Sequence, residues 1–414
     1  MTEQPSPAEV DGPPPPSPLE VQERVGAAAA DRRSGRGRRA VQVLVATVLA
    51  GVVVAGVLQV LWLVLLQNGA EAVVVGAALA LLPVLVVVAI FLWLDRYEAE
   101  PPGMLLLAFG WGAGVATAAA LAVNTQASVL LDDAGPPGFT TLAVVAPLTE
   151  EAVKALGVVA VLLLRRREFD GVVDGIVYAG MVGIGFALVE NVLYFSTALV
   201  QGGTSQLAAT FVLRAVVSPF AHPLFTVLVG IGVGLAVSRS WRGRWLLPFL
   251  GLALAVVLHG LWNGSTFVPL GFPLVYPLLQ VPVFVGAVTL AVLARRREHR
   301  VVREHLDVYA RAGWLTWAEA AMVASLAERR RARRWARRLG GPDAQDAMAE
   351  FQQTACELAF LRERVEHGTA SRHAADREAR VLVELWQLRA HFLVGPGGPP
   401  PGATPPAAHA LSAR

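Results

Sequence analysis

Glu150 and Glu151 are adjacent carboxylates with Lys154 one helical turn later, and all three interrupt an apolar run from Leu142 to Leu164. At three- and four-residue spacing on a helix the ammonium faces both carboxylates and neutralises one. The other lacks that partner and is free to act as a base on water. A buried ion pair that only fixes helix register needs a single glutamate. Lys154 is also the one lysine among 35 basic residues, so a compact ammonium stands where the chain otherwise uses arginine.

Other apolar runs carry polar groups as well: Glu190 and Asn191, Arg214 and His222, and His259 with Asn263. An ionisable side chain at the bilayer centre costs about 2.5–3.5 kcal/mol on insertion scales, which function or partners must offset. Glu190 shares a helical face with Ala179, Gly183 and Ala187, small residues that let another helix approach, so it points into the bundle. Ser218 and Thr226 extend a polar stripe on either side of His222, and Pro219 and Pro223 distort the helix there. His259 shares its face with Asn263. Counted from the outer helix ends at about 1.5 Å per residue, Glu150, Glu190, His222 and His259 fall between the outer surface and slightly past the midplane. That common level is what one water-accessible site requires.

Two carboxylates, two histidines and an amide, with no serine or cysteine beside an obvious base, point to water activation without a covalent intermediate. Two versions stay open. Glu190, His222 and His259 could hold a divalent metal such as zinc, with Glu150 or Glu151 as general base. Alternatively a glutamate of the pair activates water with no metal, and the histidines and Asn263 stabilise the oxyanion.

The elements that must position these groups are membrane spans. The 414 residues are 55% hydrophobic and 16% charged. Eight runs are long enough for about 30 Å of hydrocarbon: Val41–Gln67, Ala72–Leu94, Met104–Asn124, Leu142–Leu164, Val172–Val200, Leu207–Val237, Leu246–Trp262 and Leu274–Ala294. Arg-rich flanks alternate with loops free of Arg and Lys, at Asn68, Thr125–Thr141, Gln201–Gln206 and Asn263–Pro273. By the positive-inside rule both termini are cytoplasmic, in a plasma-membrane protein. The expected fold is all-α: a polytopic membrane protein of about eight transmembrane helices with a small cytoplasmic helical C-terminal region. A net charge of +3 then reflects topology more than nucleic-acid binding. The single cysteine, Cys356, excludes an intrachain disulfide framework, and the proline-rich first 22 residues have no signal-peptide pattern.

Outside the membrane, residues 1–40 read as a disordered Pro/Arg-rich arm, 41–294 as the membrane core, 295–393 as a cytoplasmic helical region and 394–414 as a disordered tail. Thr316 and Glu319 have capping-box spacing, predicting a helix from Trp317 to Leu339 that stops at Gly340-Gly341-Pro342. Two more amphipathic segments follow, Asp343–Glu366 and Ala370–Leu393. Arg329–Arg338 holds seven arginines in ten residues. Without a DNA-binding motif it reads as a solvated helix face near anionic lipid, not a nucleic-acid site.

The segments TEEAVK (Thr149–Lys154), FALVEN (Phe186–Asn191), HPLFT (His222–Thr226) and HGLWN (His259–Asn263) resemble, in order, the four motifs of the PrsW family of intramembrane proteases. More distantly they are similar to the CAAX prenyl protease and bacteriocin-immunity superfamily. LDRYEAEPP (Leu94–Pro102) and DGIVYAG before FALVEN add to the match, which spans Leu94 to Asn263. The resemblance implies hydrolysis of single-pass, membrane-anchored protein substrates, of which anti-sigma factors are the family's known kind. It also implies catalytic roles for Glu150, Glu151, Glu190, His222 and His259, with Asn263 supporting, and it leaves metal use open; Lys154 and Asn191 read as supporting from their place in the polar cluster. The alternative is an ion- or proton-coupled transporter using the same buried Glu/Lys/His cluster. Paired repeats, which transporters often show, are not evident in the eight runs.

Overall fold

The computed structural model describes residues 14–21, 23–24, 32–97, 99–131, 138–165, 169, 171–239, 241–370 and 373–394. Among them there are helices and turns but no strand. The chain forms two compact units, Gly37–Arg295, and Met1–Arg36 with Arg296–Arg414. The tail from residue 395, and most of the arm expected to be disordered, lie outside the described residues.

The membrane unit begins with α1, Arg32–Leu94, whose 63 residues would extend about 95 Å at the helical rise, three times the hydrocarbon thickness. Gly69 breaks it with φ of 76°, a left-handed conformation that suits glycine. α2 runs Pro102–Leu131 through a π-helical stretch at Trp111–Ala116. α3, Ala146–Leu164, is entered through a π turn at Thr141–Val145. α4, Val172–Phe211, is broken at Gly203 and passes into a π-helical segment, Val212–Val217. α5 is Ala221–Val237, α6 Leu247–Ser265, and α7 Val281–Arg311, preceded by a π segment at Tyr276–Gln280.

Among the described residues, five stretches are long and apolar enough to cross a membrane. α3 has the length but carries Glu150, Glu151 and Lys154. With α1 divided at Gly69 and the Val172–Val237 stretch divided at Gly203, eight crossings result, and the chain is a multi-pass, all-α membrane protein.

Several boundaries differ from the sequence expectation: the third helix runs on past Asn124 to Leu131 and the eighth past Ala294 to Arg311. The fifth helix runs three residues past Val200, to the break at Gly203, and residues 204–211 belong to the next crossing. The sixth, Leu207–Val237, is not one helix: Ser218 leaves the helical region (φ −130°, ψ 41°) and α5 restarts at Ala221. Pro219 supplies no N–H there, so the ladder cannot continue.

α4 is the centre of the unit, buried almost continuously from Val173 to Ala187. Close approach is possible because glycines face backbone: Gly175 lies against the Gly230 carbonyl of α5, Gly183 against Pro223, and Gly185 against the Phe109 carbonyl of α2. A Cβ on Gly175 would overlap the Gly230 carbonyl. Gly175→Ala is therefore expected to cost about 1–3 kcal/mol through forced backbone shifts, read as a thermal midpoint several degrees lower in detergent; an unchanged midpoint would refute tight α4–α5 contact. Val158, Val177, Val182, Phe225 and Leu258 fill the surrounding core.

The second unit packs the end of α7 with α8 (Trp317–Ala324), α9 (Leu326–Glu366, broken at Gly341) and α10 (Ala374–Val394) around Leu306, Phe351, Leu358 and Leu382. Thr316 and Glu319 form the capping box. The predicted Trp317–Leu339 helix is two, because Ser325 adopts an extended conformation and caps α9 through Glu328 N–H. The arginine run is not uniformly solvated: Arg329 is 3% exposed and donates to the Val323 carbonyl, while Arg333 donates to Gln352. Val21, from the segment expected to be disordered, is buried in this core, and Trp314 donates to the Pro16 carbonyl.

Candidate functional site

α3 starts at Ala146 and presents Glu150, Glu151 and Lys154 inward, Glu151 and Lys154 at 0% exposure. Lys154 Nζ lies 3.0 Å from Glu151 Oε1 and 3.7 Å from Glu150 Oε2. It also stands 3.1 Å from His222 Nδ1 and 3.6 Å from the centre of the Phe186 ring. An ammonium has only donors, so His222 Nδ1 accepts and its Nε2 carries the proton. That Nε2–H lies 2.5 Å from Glu190 Oε2. Glu190 in turn pairs with the Arg214 guanidinium, whose Nε donates to Asn191 Oδ1 at 2.7 Å.

The two adjacent glutamates differ in environment. Glu151 has partners on both oxygens: Oε1 lies 3.0 Å from both Lys154 Nζ and His259 Nδ1, and Oε2 lies 3.2 Å from the Thr226 hydroxyl, which also faces the His222 carbonyl at 3.0 Å. Glu150 Oε1 accepts from Asn124 at 3.3 Å, but its Oε2 has no hydrogen-bond partner. That oxygen faces His259 Nε2 across 3.8 Å. With Nδ1–H donating to Glu151, the neutral His259 ring presents an Nε2 lone pair to the same space as the unpartnered Glu150 oxygen. Phe225 stacks on the His259 ring at 4.9 Å and fixes its plane.

One atom each of Glu150, His222 and His259 lie within 4.8 Å of one another, and these three could hold a metal ion. The set fits in donor type, since two histidines and a carboxylate with an open position suit a catalytic divalent ion, but His222 would have to give up Lys154 at Nδ1 or Glu190 at Nε2 to bind it. The buried, unpartnered Glu150 Oε2 is an observation that favours it. The trio differs by one member from the Glu190, His222 and His259 read in the sequence, because Glu190 is taken by Arg214 and by His222 Nε2.

The structure thus brings Glu150, Glu151, Lys154, Glu190, His222 and His259 into one network. Asn191 joins it through Arg214. Asn263 does not: its Nδ2 donates to the Leu142 carbonyl at 2.8 Å, securing the π turn that leads into α3. Asn124, Phe186 and Phe225 were not among the residues singled out. Asn124 ends an apolar run, and nothing local names its partner 26 residues away. The Leu94–Pro102 segment also stands apart from the site. There the Glu100 N–H donates to Asp95 at 3.0 Å and the Tyr178 hydroxyl to Glu100 at 2.6 Å, tying the loop to α4. Burial pushes the Asp95 carboxyl up to about 7.

The sequence profile of the PrsW family of intramembrane metalloproteases matches residues 100–288, a span that contains every residue of this network. The protease PrsW of Clostridioides difficile (strain 630) is 27% identical over 188 residues, 45% of this chain and 76% of that protein. That of Geobacillus kaustophilus is 32% identical over 169 residues, covering 41% and 69% respectively. That of Bacillus subtilis is 28% identical over 190 residues, covering 46% and 81%. No solved structure matches. The helical unit from Arg296 onward lies outside the residues that the family profile matches.

Proposed function

Because the chain belongs to the PrsW family and is an intramembrane endopeptidase, we propose that it hydrolyses peptide bonds at the Glu150–His259 pair, using Lys154 and Glu151 as the fixed frame. The observation that carries this reading is the unpartnered Oε2 of Glu150 facing His259 Nε2. A water donating to both puts its own oxygen lone pair toward a carbonyl. Glu150 Oε2 takes the proton as the C–O bond forms, and returns it to the leaving amine as the C–N bond breaks. Glu151 has partners on both oxygens, and it holds His259 in the required tautomer. Lys154, shared between Glu151 and His222, places positive charge beside the developing oxyanion.

The family description names a metal. Glu150, His222 and His259 would hold it, and when bound it would polarise the carbonyl and acidify its water. Lys154 competes for the same Glu150 oxygen, 3.7 Å away, so ion and ammonium oppose each other there. Metal content separates the two forms. One tightly held equivalent in wild type that is lost in His259→Ala establishes the ion; metal-free wild type that still cleaves establishes the carboxylate route.

The substrate class we assign is a single-pass membrane protein, with anti-sigma-factor-like proteins as the example the family offers. The enzyme is placed in the plasma membrane with both termini cytoplasmic, on the alternation of Arg-rich flanks. Nothing favours the transporter alternative, since the buried charges converge on one centre. Reconstituted protein with a single-pass test substrate tests the assignment. His222→Ala is expected to lower cleavage by about 10²-fold or more, and undiminished cleavage would remove His222 from the site.

A further inference from the structure

Beside His222 the membrane unit contains two adjoining cavities that share Ser218, Ala221 and Trp262. The smaller, about 40 Å³, is polar and reaches His222, Asn191 and Arg214. The larger, about 90 Å³, lies between the break that precedes α5 and the start of α7, and is walled by Phe220, Leu224, Trp262 and Phe284. π-helical segments border it on both sides, Val212–Val217 and Tyr276–Gln280. Such segments recur at functional sites. The Tyr276 hydroxyl joins the two by donating to the Val217 carbonyl at 2.6 Å.

We propose that the larger cavity is a specificity subsite for a branched aliphatic side chain of the substrate, next to the scissile bond. This rests on the peptidase reading above and names what that site selects. Polarity sets the occupant. Ser218 donates to the Leu213 carbonyl, Tyr276 to Val217 and Gln280 to Leu258, so these groups are turned into the protein and the remaining wall is apolar. Size narrows it further. A cavity of about 150 Å³ takes a benzene ring; one of about 90 Å³ takes the branched carbons of valine or leucine and excludes a phenyl ring. Position completes the argument: an aliphatic side chain seated there leaves its backbone at the polar cavity that opens on His222.

The test uses full-length protein in lipid nanodiscs. The probe is a single-pass model membrane protein, randomised among Gly, Ala, Val, Leu, Phe and Trp in and beside its transmembrane segment, with cut sites read by mass spectrometry. In wild type, Val and Leu are expected at one fixed position within two residues of the cut, with Phe and Trp depleted about tenfold or more, the range a misfitted apolar pocket gives. Phe284→Ala enlarges the cavity and should admit Phe at that position; Leu224→Phe narrows it and should shift the preference to Ala and Gly. If both variants cut with the wild-type residue profile, or wild type shows no preference, the subsite is overturned. Continued cutting with an unchanged profile leaves the hydrolytic assignment standing, since that depends on Glu150.

Discussion

Lys154→Met is expected to leave a protein with no measurable cleavage and a thermal midpoint far below wild type. Lys154 and Glu151 are both at 0% exposure, and the ammonium also serves His222 and faces Glu150. Methionine fills similar volume but strands two buried carboxylates without a counter-charge. Removing one partner of a buried pair costs about 3–5 kcal/mol, well above the cost of a tight glycine contact. Lys154→Arg should not rescue it, because the Phe186 ring lies 3.6 Å from Nζ and a planar guanidinium is wider than an ammonium. Thermal unfolding in detergent, followed by tryptophan fluorescence, reads the loss. A midpoint within a degree of wild type would mean that the carboxylates do not depend on this lysine.

Glu150→Gln is expected to have the opposite profile, an intact fold with cleavage reduced by about 10³-fold or more, within the range of general acid–base contributions. The amide is nearly isosteric, and its carbonyl can still accept from Asn124 where Glu150 Oε1 does. What disappears is the base, at the one carboxylate oxygen in the pair that has no hydrogen-bond partner. Glu151→Gln differs in kind. It replaces an oxygen that receives both Lys154 and His259, so stability and activity should fall together. The contrast between neighbours distinguishes a reacting group from a framing one.

Much of this site was legible in the sequence because charge inside an apolar helix is costly, and helical spacing states which charges share a face. Glu150, Glu151 and Lys154 could be assigned to one face on spacing alone. Glu190, His222 and His259 could be assigned to one level. The different environments of the two glutamates were not legible, because they depend on Asn124, Thr226 and His259, which approach from other helices. The diversion of Glu190 to Arg214 was hidden for the same reason, since the two are 24 residues apart across a broken helix. Pro219 announced a distortion, but a complete break at Ser218 requires the Leu213 and Val217 carbonyls to find Ser218 and Tyr276 as donors. In the second unit, composition made Arg329–Arg338 look solvated throughout. The partners that turn Arg329 and Arg333 inward, Val323 and Gln352, become visible only once α8 and α9 pack.

The central claim is that water is activated at Glu150 inside the membrane. Its most direct test incubates wild type and Glu150→Gln, each in lipid nanodiscs, with the same single-pass substrate in ¹⁸O-labelled water, followed by mass spectrometry of the fragments. The account predicts that the wild-type product carries ¹⁸O in its new C-terminal carboxylate and that the folded variant yields none. Equal labelled product from both proteins would contradict it.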